Sequence, residues 1–317
     1  MLPTLYPWRY RLSAYGRLGL SMSGSVFAIL GAFAFGCNGI FIRRAVVKVP
    51  DASVGVLISV PFGIPFFMAA LIITGQLSTV INLSWQAYVW FSAAGILHYT
   101  VGRSLNYKCI KLVGANIATI LLNSSVLIAA ILGVALLREP LTWNLILGVL
   151  LIIFGISIAG LNPEMFRNGQ ALLSNIPHKA YLFGFGAGAA WGVTPIFIRV
   201  GLSGSVSPLV GAFISFIAAT LALSASLFNR RRAAALTSMN GPAIGFFSLA
   251  GLFSSTANLM RFIALGIAPA SVVQPLISIS PVFLLGLAFL FNRNLEIFSL
   301  PILIGTGTVI IGTILLV

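Results

Sequence analysis

Twelve polar residues recur at helical spacing in this chain, and they are the ones whose types and positions could do chemistry. Tyr99, Arg103 and Asn106 are spaced i, i+4, i+7, and so are Ser254, Asn258 and Arg261. Asn116, Thr119 and Asn123 are spaced i, i+3, i+7, as are Ser271, Gln274 and Ser278. Each triplet falls on one face of a helix. Amides, hydroxyls and guanidinium groups suit a zwitterionic or anionic solute, and a neutral polar one nearly as well. The four acidic residues, Asp51, Glu139, Glu164 and Glu296, fall in predicted loops or at predicted helix ends. A proton-coupled exporter of cations needs a carboxylate at membrane depth, and an enzyme needs an acid–base or metal constellation. Neither pattern is present, so no catalytic site, metal or cofactor is expected.

Further candidates stand beside the triplets. His98 is the one histidine inside a predicted span, either a proton site or a hydrogen-bonded structural residue. Asn38 and Thr194 occupy equivalent places, with Trp191 one turn earlier and Pro195 just after, where a break in the helix ladder is expected. The expected solute-binding set is therefore Asn38, Tyr99, Asn123, Trp191, Thr194, Ser254, Asn258, Gln274 and Ser278. Arg43, Arg103, Arg199 and Arg261 lie towards span ends, as a charged rim for the solute or as lipid-headgroup anchors.

These residues have to be positioned by elements that live in lipid. Of 317 residues, 59% are hydrophobic and 7% charged, against roughly 25% charged in a soluble domain. Ten stretches reach the length of a membrane-spanning helix: 21–42, 53–74, 86–102, 112–137, 143–161, 180–198, 206–228, 241–260, 269–292 and 297–317. The reading is an all-α integral membrane protein. A β-barrel would alternate apolar and polar residues, and the run from Ile117 to Leu137 does not. Cys37 and Cys109 fall in or beside apolar spans, which is no disulfide framework. The net charge of +14 sits mostly at span ends, so nucleic acid is not an expected partner; the bilayer and a small solute are.

The chain repeats itself. Residues 34–43, AFGCNGIFIR, match residues 190–199, AWGVTPIFIR, at a shift of 156. A shift of 155 lays the polar triplets over one another, and a shift of 157 lays Gly148 and Gly155 over Gly305 and Gly312. Small residues at Ala28, Ala32 and Gly36 answer Gly184, Gly188 and Gly192, ladders that let backbones approach closely in lipid. The expected organisation is a tail over 1–20 (interfacial or disordered), a first five-helix repeat over 21–162, a connecting loop over 163–179, and a second repeat over 180–317. Five spans per half is an odd number, so the halves enter the membrane from opposite sides, the arrangement that permits alternating access.

With these features the chain resembles the drug/metabolite transporter superfamily, EamA type. The resemblance is carried by the two ten-residue segments above, Gly102-Arg103, the run LLREPLT from Leu136 to Thr142, and its partner FLFNRNLE from Phe289 to Glu296. It implies a ten-helix carrier of small solutes, often an exporter of amino acids or other metabolites, in a plasma membrane of the bacterial inner-membrane kind. Asn294 stands where the first half has Glu139, and the fourth span lacks a Pro like Pro281, so the halves have diverged. Without an acidic coupling group, facilitated diffusion and exchange stand level with proton antiport. A non-transporting membrane scaffold is the competing reading, although a scaffold does not need mirrored inward polar stripes. Six basic residues on the side of the termini against twelve on the other favour termini outside by the positive-inside rule; the family resemblance implies termini in the cytoplasm.

Overall fold

A computed structural model describes residues 14–46, 48–49, 52–159, 177–291 and 300–317. Among these residues the chain is mostly helical and forms no strands, as a lipid solvent that cannot satisfy backbone N–H and C=O groups demands. Helix α1 spans Ala14–Val46. A 3-10 turn (Ala52–Gly55), α2 (Val56–Ser59) and α3 (Gly63–Ile73) form one interrupted rod, broken beside Pro61. Then come α4 (Leu77–Ile81), α5 (Trp85–Gly95), a π-helical turn (Ile96–Gly102), α6 (Arg103–Leu122), α7 (Ser124–Leu137) and α8 (Trp143–Ala159). The second half contains α9 (His178–Gly201), α10 (Pro208–Ser224), α11 (Arg230–Thr237), α12 (Gly241–Ile267), α13 (Ala270–Ile277), α14 (Ser280–Phe291) and α15 (Leu300–Leu316).

Six stretches of described helix are long and apolar enough to cross a membrane: 22–42, 56–73, 178–201, 208–228, 241–267 and 270–287. Three shorter apolar helices, 124–137, 143–158 and 304–316, accompany them. Large apolar side chains such as Ile73, Phe154, Leu182, Leu221 and Ile314 face outward, where acyl chains would cover them. The tail over 1–13 and most of the loop over 163–179, with Asp51, Glu164 and Glu296, lie outside the described residues, as do the side chains of Arg43, Asn116 and Thr119.

The third and fourth expected spans differ from the reading of the sequence. Backbone geometry stays helical from Trp85 to Leu122, with no loop between 102 and 112. The path nonetheless turns. A Cβ on Gly184 would lie 3.2 Å from Cys109 Sγ and 2.6 Å from Leu121 Cβ. A straight helix would hold residues 109 and 121 roughly 18 Å apart, so the chain folds back between them. The fourth stretch breaks instead at Asn123, between α6 and α7, as its counterpart breaks at Ser278–Ile279, between α13 and α14. Pro195 does not break its helix: α9 continues to Gly201, and the missing N–H is tolerated within a buried helix.

The halves interlock reciprocally. α1 packs mainly on α12 and α14, whereas α9 packs mainly on α6, α7 and α5. A Cβ on Gly36 would lie 2.8 Å from Phe283 Cβ in α14, and one on Gly192 2.7 Å from Ile128 Cβ in α7; these pairs correspond under the repeat. α8 and α15 pack along their lengths in opposite directions. A Cβ on Gly148 would lie 3.0 Å from the Gly312 carbonyl oxygen, one on Gly312 2.8 Å from that of Gly148, and one on Gly155 2.6 Å from that of Gly305. Each glycine therefore meets the counterpart of its neighbour, the self-complementary contact of a local twofold. No side chain fits at these crossings.

Candidate functional site

The polar residues converge where α5 and its π turn meet α9, α10 and α12. The π turn holds His98 and Tyr99, both buried. Its wide helical geometry, common at functional sites, lets these two consecutive residues face inward together. Their rings meet edge to face with centroids 4.7 Å apart, and Tyr99 packs on Phe216 at 4.7 Å. Trp191 lies 5.6 Å from the His98 ring, and its Nε1 donates to the His98 carbonyl at 3.0 Å. Gly102 makes that approach possible, since a Cβ there would collide with Trp191 Nε1.

Arg261 is the centre of the cluster. It comes from α12 and is 2% exposed. The sequence reading sets it on a rim, just past a span expected to end at residue 260; α12 runs on to Ile267, and packing by the other half places Arg261 in the interior instead. Nη1 donates to His98 Nδ1 at 3.2 Å, with Nε2 3.4 Å away, and Nη2 donates to Gln274 Oε1 at 3.2 Å. Arg261 Nε and Tyr99 Oη have no hydrogen-bond partner among the described residues. Arg103, half-buried, stacks over the Tyr99 ring at 5.4 Å. His98, Tyr99, Thr194, Ser215, Asn258 and Arg261 share one narrow crevice, too tight to admit a water molecule.

Other expected residues take different places. Thr194 Oγ1 donates to Ala190 O at 2.6 Å, and Asn258 Nδ2 to Ser254 O at 2.8 Å, so both bond to their own helix while lining the crevice. Ser254 is buried one turn before Asn258, and Ser278 Oγ donates to Gln274 O at 2.9 Å. Asn38 Nδ2 donates to Ala250 O at 2.6 Å, a tie between α1 and α12 rather than a crevice contact. Asn123 is buried at the break between α6 and α7, with Nδ2 unpartnered among the described residues.

Arg199 does not stand open as a rim. Arg138 takes a left-handed conformation, φ 54°, that ends α7 and turns Glu139 inward. Glu139 is 6% exposed. Its Oε1 accepts from Ala270 N at 2.7 Å and its Oε2 from Ser271 N at 2.9 Å, at the N-terminus of α13. Arg199 Nε lies 3.7 Å from Glu139 Oε1, and Arg199 Nη1 donates to Ala268 O. One carboxylate thus joins α7 to α9 and α13, across the halves. Sequence reasoning missed this clamp because a span-end acid reads as solvated. It also missed Ser215, whose Oγ donates to Phe91 O at 2.8 Å; its counterpart at shift 156, Ser59, was the available signal.

Among the described residues no group of three or more His, Cys, Asp or Glu could hold a metal ion. No curated protein matches the sequence. A solved structure described only as a crystal structure of a protein shares the fold, with TM-score 0.74 over 93% of this chain and 96% of its own, at 16% identity. The model of the EamA-like transporter family matches twice, over residues 22–161 and over residues 178–317. Both halves being matched, the chain belongs to the EamA-like transporter family.

Proposed function

We propose that this protein carries a small polar metabolite, zwitterionic or anionic, across a plasma membrane by alternating access, through ten spans arranged as two inverted sets of five. The observation that carries this reading is the reciprocal packing of the halves together with a polar crevice that both halves line. α8 and α15 meet as antiparallel counterparts, and the crevice takes His98 and Tyr99 from the first half and Thr194, Asn258 and Arg261 from the second. Two inverted halves that exchange conformations expose such a crevice to one side and then the other. The tight geometry is that of a closed state, which has to widen to admit solute.

The test is counterflow in proteoliposomes with pooled labelled metabolites. Exchange by the native chain and its loss on Asn258→Leu are expected. Equal exchange by native and Asn258→Leu protein would remove the crevice as the route.

A further inference from the structure

The crevice also indicates which metabolites fit it. Among the described residues the hydrogen-bond partners of buried Arg261 are neutral, His98 and Gln274. Glu139 is the sole carboxylate side chain among the described residues, and both its oxygens are already bonded at α13. A buried guanidinium without a counter-charge is costly, and a ligand anion would remove that cost. Two unpartnered polar atoms, Arg261 Nε and Tyr99 Oη, belong to side chains only 2% exposed, and both residues line the crevice. Both are donors suited to the oxygens of a carboxylate.

From this geometry we infer that the crevice is a subsite for a singly charged carboxylate with no ammonium group beside it, a 2-oxo or 2-hydroxy acid rather than an amino acid. Arg261 Nε and Tyr99 Oη donate to the carboxylate. Among the described residues Arg261 is the one cationic side chain that lines the crevice; Arg103 is not part of the lining and stacks over the Tyr99 ring at 5.4 Å. One charge on the crevice wall matches one carboxylate, and a phosphate dianion would have to draw on Arg103 as well. An ammonium on the adjacent carbon would sit beside the guanidinium with no carboxylate on the crevice wall to offset it. The inference rests on the carrier reading only for the direction of use: binding itself does not require transport.

The full-length chain in detergent is tested for binding of labelled 4-methyl-2-oxopentanoate by equilibrium dialysis, with leucine, 3-methylbutylamine and inorganic phosphate as competitors. The same four compounds are then tested for counterflow in proteoliposomes. The oxo acid should bind at least about tenfold more tightly than each competitor, and Arg261→Gln should lose at least about tenfold of that affinity, the scale of one charge-assisted hydrogen bond. Tyr99→Phe, which keeps the ring on Phe216, should weaken oxo-acid binding several-fold and carries the test if Arg261→Gln does not fold. Absence of oxo-acid binding, equal binding of leucine, the amine or phosphate, or unchanged binding by the folded variants overturns the subsite. Arg261-dependent binding without exchange of any compound leaves the subsite standing and overturns the carrier reading.

Discussion

Arg261 holds its place through two neutral acceptors, so the crevice is sensitive to single hydrogen bonds. Gln274→Leu removes the acceptor for Nη2 and leaves a buried charged donor unpaired, a cost of about 1–3 kcal/mol. The expected result is a lower thermal midpoint in detergent together with loss of exchange; an unchanged midpoint would deny the Arg261–Gln274 contact its structural role. Asn38→Ala should behave differently. It removes a bond to Ala250 O, worth about 1 kcal/mol, and should leave solute affinity unchanged when binding is titrated on the folded variant. The spacing of Ser254, Asn258 and Arg261 made this face legible in the sequence. Depth was not legible: just past an expected span end at residue 260, an arginine reads as an anchor, whereas α12 runs on to Ile267 and packing by the other half buries it. Asn38 was read as crevice-lining because periodicity identifies the inward face but not the partner, here a backbone carbonyl 212 residues away.

At the scale of elements, the clamp of α7 on α13 is the feature local sequence could not reveal. It depends on a left-handed residue at Arg138, the free N–H groups at the start of α13, and Arg199 from α9. A carboxylate at a helix N-terminus gains from the backbone dipole, and deleting one partner of a buried ion pair costs about 3–5 kcal/mol. Glu139→Ala should therefore lower the denaturation midpoint markedly. Glu139→Ala with Arg199→Met should cost less than the sum of the single changes in a double-mutant cycle; strict additivity would show the two side chains to be uncoupled. The π turn at Ile96–Gly102 was equally hidden, because it keeps helical geometry, whereas the reversal between the third and fourth spans was expected over 103–111 and is found between Cys109 and Leu121. The break near Ser278 was better marked, by the serines and Pro281 around it. Pro195 misled, since a proline within a packed helix need not end it.

For the molecule as a whole, the duplication was the most legible property, written into the matching segments near Arg43 and Arg199 and into the paired glycines of α8 and α15. The glycine crossing predicts that Gly155→Leu, whose side chain would meet the Gly305 carbonyl and Val309, disrupts folding or halts exchange, read by monodispersity in detergent and by counterflow. The central claim is that one crevice between two inverted halves opens to each side of the membrane in turn. It is tested most directly by placing a single cysteine at Thr194, in a chain carrying Cys37→Ser and Cys109→Ala, and adding an impermeant thiol reagent from one face of sealed vesicles or from the other. Alternating access predicts labelling from both faces, with bound solute slowing both reactions. Labelling from one face only, or from neither, would contradict it.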